Sequence, residues 1–437
     1  MINKYLKNFD QKEIVVKAFK ALVLRASGYL FGFLFIWLIA HKLGAGVQGV
    51  FAIAFLFLSV GGMIGKLGFP TATLKWIANS ETPEEKRLTI QRVFSVVLFN
   101  AILLGVLVYL FAPVIASWYG KPQVEASIKI AALAIPFLAL MEVGCSVFKG
   151  IRQTTTFSIY FDLLKFIFPA LSFCVLYFLL GITATEIPIW SYFIGHSILF
   201  LAVWVHLQIN FKIFSKVQGQ LKERVLKRKA MILESYPMLV ASSIVMIMGW
   251  SDTFILGFFV SDEKIGVYST AVRLATLVSF TYTAIAAIMT PKISGFFHRK
   301  EHKQFKETIS FSSKLMFFCG LPIFLILMIF PQFFLGLFGE EYKSGSLVLQ
   351  ILLIAQFLNV LTGPVGPIFQ MTGGQKTLQN FIALSLLINL VLSLLLINPF
   401  GTEGVAVGSA LGMVFWNFAG AIYLKRKMNL KTWVNFR

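Results

Sequence analysis

The side chains with chemistry to offer in this sequence are ionisable groups set inside long apolar stretches: the cations Arg25, Lys66, Lys165 and Arg273, the acids Glu142, Asp162 and Asp252, and the imidazole of His196. Arginine presents bidentate donors to a phosphate at a charge that never titrates, whereas lysine acts as a point charge. The four cations therefore suit an anionic substrate group. The three acids and His196 suit a coupling cation, Na+ or H+. Each group also has a structural reading. Arg25 lies only about 6 Å inside its stretch and can snorkel to the headgroups. Asp162 and Lys165 stand three residues apart on one helix face and can neutralise each other. Asp252 and Arg273, both roughly 12 Å deep on consecutive helices, are expected to pair. A neutral His196 needs only a backbone carbonyl.

The elements that hold these groups are transmembrane helices. The chain of 437 residues is 57% hydrophobic and 13% charged, with 46 Phe and 33 Gly, and its mean hydropathy is +0.80. Soluble domains are nearer 45–50% apolar and about 25% charged, so this is an integral membrane protein. A span needs about 20 apolar residues. Twelve such stretches can be placed, roughly at 20–42, 46–66, 89–111, 125–147, 157–180, 187–209, 234–259, 265–289, 309–332, 346–370, 377–397 and 403–424. Lys4, Lys7, Lys12, Lys17 and Lys20 precede the first stretch, and no small-residue cleavage site follows, which predicts a cytoplasmic tail leading into a retained span. Cys145, Cys174 and Cys319 all lie in apolar stretches, with neither a disulfide framework nor a zinc spacing among them.

The net charge of +20 follows from orientation. With the N-terminus inside, the outer loops hold only Lys42, Lys121, Lys129, Lys264 and Lys343, and the remaining loop cations fall on the inner side. The positive-inside rule then places both termini in the cytoplasm and excludes nucleic acid as the reason for the basic charge. The predicted organisation is all-α: a cytoplasmic tail 1–19, a lobe of spans 1–6 over 20–210, a basic linker 211–233, a lobe of spans 7–12 over 234–424, and a tail 425–437. The outer loops are too short to house an interfacial catalytic domain. Gly61-Gly62-Met63-Ile64-Gly65-Lys66 has the wrong spacing for a phosphate loop, and H-E-x-x-H and G-x-S-x-G are absent. Ser261-Asp262-Glu263-Lys264 meets S-x-x-K without its partner motifs. The sequence offers no enzyme and no cofactor site.

A shift of about half the chain brings segments into register. Gly49 onward matches Gly266 onward, Trp118-Tyr119-Gly120 matches Leu337-Phe338-Gly339, and Phe148–Gln153 matches Phe369–Gln375. Two homologous lobes of six spans each insert with the same orientation, related by an axis along the membrane normal, with a central cavity expected between them. Within them, Gly404, Gly408 and Gly412 form a doubled G-x-x-x-G that permits close helix approach. Gly363-Pro364-Val365-Gly366-Pro367 must break the tenth span.

The segments DTFILGFFVSDEKIGVYSTAVRLA at Asp252–Ala275, HKLGAGVQGVFAIA at His41–Ala54, FGEEYKSGSLVLQIL and NPFGTEGVAVGSALG resemble those of Wzx-type polysaccharide-export flippases, in the multidrug/oligosaccharidyl-lipid/polysaccharide exporter superfamily. The resemblance covers nearly the whole chain in order and spacing. It implies a two-lobed alternating-access transporter in the bacterial cytoplasmic membrane that moves an undecaprenyl-pyrophosphate-linked glycan to the outer leaflet. It also implies glycosyltransferases and a polysaccharide polymerase as partners. Lipid II flippases of the superfamily usually have two further spans, which this sequence lacks. A cation-coupled multidrug antiporter is the alternative, and it would want free carboxylates and aromatic walls where a flippase for an anionic headgroup wants cations.

Overall fold

The computed structural model describes residues 2–215 and 225–434, with side chains from Lys20 onward except at position 241. Residues 216–224 of the basic linker and 435–437 of the C-terminal tail lie outside the described residues, as do the side chains of tail 1–19. Every regular element among the described residues is helical. Ten helical runs are long and apolar enough to cross a membrane, and two of them, Lys20–Asn79 and Gln375–Met428, are long enough to cross twice. Each double run turns at a glycine: Gly44 (φ 81°) in the first and Gly401 (φ 57°) in the last. Glycine alone takes such left-handed torsions at no steric cost. Counted as pairs, the ten runs give the twelve crossings that the hydropathy predicts.

The chain folds as two compact units. The first comprises Met1–Ile39 and Val50–Ser243; the second comprises Ala40–Gly49 and Ile244–Arg437. In the first unit α1 (Ile2–Gly65) is followed by α2 (Phe69–Asn79), α3 (Pro83–Trp118), α4 (Val124–Gly150), α5 (Thr154–Leu179) and α6 (Ile187–Phe211). The short α2 is an element the span reading did not foresee, because 11 residues are too few to cross. It buries Phe69, Trp76 and Ile77 and starts at the left-handed Gly68. A full capping box closes the start of α3: the Thr82 hydroxyl accepts from the Glu85 amide, and the Glu85 carboxylate accepts from the Thr82 amide. Helix α4 is the core of this unit, with small residues Ala131, Ala132, Ala134 and Ala139 fully buried along it. Side chains that small let neighbouring helices approach closely; at Gly105 of α3 a Cβ would stand 2.8 Å from the Ala132 carbonyl.

The unit boundary falls inside α7 (Arg228–Phe259). The second unit continues with α8 (Asp262–His298), α9 (His302–Ile329), α10 (Ser346–Leu361), α11 (Val365–Met371) and α12 (Gln375–Met428). The expected break of the tenth span is present between α10 and α11, with Gly363 at φ 73°. The chain end folds back onto that break: the Ser313 hydroxyl donates to the Thr432 carbonyl at 2.6 Å, and Leu430 joins the core of Ile293, Phe305, Ile309 and Phe369.

The excursion of residues 40–49 into the second unit rests on a reciprocal pair of glycines. A Cβ on Gly49 would overlap the Asp262 carbonyl, and a Cβ on Gly266 would overlap the Ala45 carbonyl. These are the two glycines that the internal repeat aligns. Beside them Gln48 is fully engaged: its amide donates to the Thr270 hydroxyl at 2.7 Å, and its carbonyl accepts from Tyr342 at 2.6 Å. The Ala45 amide donates to Glu341 at 2.6 Å.

Candidate functional site

Five of the ionisable groups singled out in the sequence form one cluster in the first unit. Its frame is the contact of α1 with α5. A Cβ on Gly28 would overlap the Asp162 carbonyl, and one on Gly32 would stand 2.9 Å from the Phe166 ring. The backbones thus meet at a G-x-x-x-G spacing, one turn beyond Arg25. At this level α5 winds wider than an α-helix, as a π-helical turn over Ile159–Leu164. Such turns concentrate at functional positions. This one carries Asp162, whose side chain is 6% exposed and accepts from Arg25 Nε at 3.1 Å, while Arg25 itself remains 41% exposed.

The second half of the cluster centres on Glu142 of α4, which is buried. Lys165 Nζ donates to one carboxylate oxygen at 2.5 Å, and Lys66, on the turn after α1, donates to the other. Lys165 also stands over the Phe161 ring at 4.7 Å, a favourable placement for an ammonium. Glu142 and Lys165 both act electrostatically on His196 of α6. The His196 ring stacks on Tyr192, and Nδ1 lies 2.9 Å from the Tyr192 carbonyl, as a neutral imidazole requires. Within the cluster two buried polar atoms, His196 Nε2 and Asp162 Oδ2, have no hydrogen-bond partner among the described residues. Three cations thus share two carboxylates in a low-dielectric setting. Breaking a buried pair by removing one partner costs about 3–5 kcal/mol, so Glu142 and its two lysines stand or fall together.

The pairing differs from expectation. Asp162 and Lys165 do not neutralise each other; Asp162 takes Arg25, and Lys165 takes Glu142. The π-helical turn explains this, because hydrogen bonds from i to i+5 rotate successive residues off the three-residue stagger of an α-helix.

Asp252 and Arg273 lie in the second unit, on α7 and α8. The hydrogen-bond partners of Asp252 differ from the expected pairing. The Asp252 carboxyl group instead accepts from the Tyr268 hydroxyl at 2.6 Å and the Asn389 amide at 3.2 Å. Arg273 is half-buried, and Thr276 donates to its carbonyl at 2.7 Å. Equal depth on consecutive helices does not fix azimuth, and Tyr268, less than two turns before Arg273, takes the place facing Asp252. Asn389 is the hub: its amide also reaches Ser251 at 3.2 Å and Ser409 at 3.4 Å, and its carbonyl accepts from Ser393 at 2.9 Å. Tyr268 and Asn389 were missed in the sequence. The available signal was Ser385, Asn389 and Ser393 at intervals of four in an apolar stretch. That polar stripe packs on the Gly404/Gly408/Gly412 face, where a Cβ on Gly412 would stand 3.1 Å from Asn389 Cβ.

Two helical units whose buried charges sit among apolar spans define a multi-pass membrane protein. The fold is similar to that of the lipid II flippase MurJ in its inward closed conformation, with TM-score 0.76 at 15% identity, covering 94% of this chain and 87% of that one. The chain belongs to the family described as polysaccharide biosynthesis protein, which matches residues 47–346. It is 27% identical over 219 residues to a probable low-salt glycan biosynthesis flippase of Haloferax volcanii, covering 50% of this chain and 46% of that protein. It is 26% identical over 179 residues to a putative O-antigen transporter of Shigella flexneri, covering 40% of this chain and 42% of that protein. The chain thus spans about half the length of these curated relatives.

Proposed function

We propose that this chain is an alternating-access flippase that carries a polyprenyl-diphosphate-linked oligosaccharide across the bacterial cytoplasmic membrane for surface polysaccharide biosynthesis. Both termini and the 211–233 linker lie on the cytoplasmic side. The observation that carries this reading is the cation excess of the buried cluster: Arg25, Lys66 and Lys165 against Glu142 and Asp162. A glycan and a diphosphate cannot cross about 30 Å of hydrocarbon unshielded. Arg25, half-exposed and of a residue type that can offer a phosphate two parallel donors, is the first group to meet the diphosphate. Lys66 and Lys165 follow as Glu142 gives up one of them, and Arg273 is the further candidate cation, in the second unit. The relatives with a named activity are flippases or transporters, which supports the same reading.

Coupling to Na+ or H+ has a physical route here. A cation bound at Asp162 competes with Arg25 for one carboxylate and frees the guanidinium for phosphate. Glu142, Asp252 and His196 are the further coupling candidates. The glycan is supplied by glycosyltransferases and consumed by a polymerase, the protein partners of this reading. An antiporter of organic cations would need free carboxylates, whereas Glu142 and Asp162 are already engaged by Lys66, Lys165 and Arg25.

The test is transport of a fluorescent polyprenyl-diphosphate disaccharide in proteoliposomes, read by quenching from outside. Arg25→Ala is expected to slow transport at least about tenfold and Arg25→Lys to retain part of the rate. Transport by Arg25→Ala at the unmodified rate would overturn the cationic-cluster reading.

A further inference from the structure

An apolar crevice on the first unit belongs to no part of the charged cluster. It lies among α3, α4 and α6, has a volume of about 680 Å³, and is lined by Phe94, Leu98, Ile102, Leu140, Phe200 and Trp204. That is within the 300–1,000 Å³ of ordinary ligand sites. Leu98 and Ile102 are 43% and 47% exposed, so the crevice opens on the face where lipid chains lie. From Gln91 to Ile102 it follows α3 for about 16 Å at 1.5 Å per residue.

Its composition is graded along that length. The polar lining residues, Gln91 and Ser95, sit at one end together with Ile213 and Phe214. Two guanidiniums flank that end without lining it: Arg92, next to the lining Gln91, and Arg228, bonded to the lining Ser95. Arg92 Nη1 donates to the carbonyls of Val225 at 2.6 Å and Leu226 at 2.9 Å, and Arg228 Nε donates to the Ser95 hydroxyl at 2.9 Å. Lys212, Lys227 and Lys229 are exposed close by in sequence. The rim is fixed by backbone contacts: Arg87 Nε donates to the Phe211 carbonyl at 2.8 Å, and the Gln91 amide to the Ile213 carbonyl.

A hydrocarbon slot with two guanidiniums beside its polar end is complementary to one amphiphile. We propose that this crevice binds an anionic phospholipid of the cytoplasmic leaflet, with an acyl chain against Trp204 and the phosphate on Arg92 and Arg228. The inference rests on the cytoplasmic placement of the linker and not on which glycan is carried. Basic pockets between transmembrane helices on the cytoplasmic side recognise anionic headgroups, and each cation near the surface strengthens attraction about fivefold. The bound lipid ties the end of the linker at Val225–Arg228 to α3, because the same two arginines hold both.

Trp204 supplies the probe, since it lines the crevice and packs on Phe94 and Phe214 at 5.2 and 5.6 Å. The full chain is placed in vesicles with dibrominated phosphatidylglycerol or dibrominated phosphatidylcholine, and the quenching lost in Trp204→Phe is assigned to this site. For two cations, half-maximal quenching of that component is expected at a roughly 25-fold lower fraction of brominated phosphatidylglycerol than of brominated phosphatidylcholine, the ratio falling to about fivefold in Arg228→Gln. Arg228 is exposed, and a thermal melt checks that the variant folds. Equal quenching of the Trp204 component by both lipids would overturn the proposal, as would a preference unchanged in Arg228→Gln. Relief of quenching by polyprenyl phosphate but not by unbrominated phosphatidylglycerol would assign the crevice to the transported lipid and sink the phospholipid reading. No arm of this experiment reads transport, so its failure is separate from failure of the flippase reading.

Discussion

The two units handle buried polarity in opposite ways. In the first, Glu142 and Asp162 are balanced by full charges, Lys66, Lys165 and Arg25. In the second, Asp252 is held by Tyr268 and by the amide of Asn389, with serines around them. A salt-bridged cluster is poised, because any incoming ion competes for one of its members and releases another. A network of hydroxyls and an amide that satisfies itself is glue, and it changes little when ions arrive. The sequence repeat relates the two halves, yet the charged chemistry has been kept in one and the neutral interlock in the other.

The largest effect that would separate them is at Glu142. Glu142→Gln leaves Lys66 and Lys165 buried without a counter-charge and is expected to cost about 3–5 kcal/mol, read as lowered yield and melting temperature in detergent. Adding Lys165→Met should recover part of that loss. A Glu142→Gln protein as stable as its parent would show the cluster to be solvated and not poised. An intermediate effect is expected at Tyr268→Phe, which removes one hydrogen bond to a carboxyl group and should cost about 1.5–3 kcal/mol if Asp252 is ionised, nearer 1 kcal/mol if it is neutral. The same melt therefore tells whether the second unit is as uncharged as its neighbours suggest. The smallest effect is expected at Ser393→Ala, about 0.6 kcal/mol, the usual worth of one hydrogen bond between membrane segments. A loss there as large as at Glu142 would erase the contrast between the units.

Hydropathy made most of the fold legible, because a bilayer forces backbone groups into helices of a set length. The Gly44 and Gly401 turns fall in the gaps between 20–42 and 46–66 and between 377–397 and 403–424. Helix α2 escaped, since at 11 residues it is a buried amphipathic piece with no hydropathy signature of its own. Candidate site residues were legible by type, as charge inside a span is costly enough to stand out. Their pairing was not legible. Arg25 and Asp162 are 137 residues apart in sequence, and the π-helical turn that sets the azimuth of Asp162 leaves no mark in residue type. Asn389 escaped for the opposite reason, being neutral and so inexpensive enough in an apolar stretch not to stand out.

The seating of residues 40–49 in the second unit has a consequence for biogenesis. Gln48 leaves the ribosome early, but its partner Thr270 follows 222 residues later and Tyr342 294 residues later. At roughly 5–20 residues per second, the first of these contacts waits about 10–45 seconds. Through that interval the nascent first half carries a polar side chain with its native partners not yet made, and the notch behind Gly49 has nothing to fill it. A membrane protein of this design cannot mature one half at a time: the opening hairpin is released from its provisional state only when α8 arrives with Thr270, and Tyr342 completes the seat.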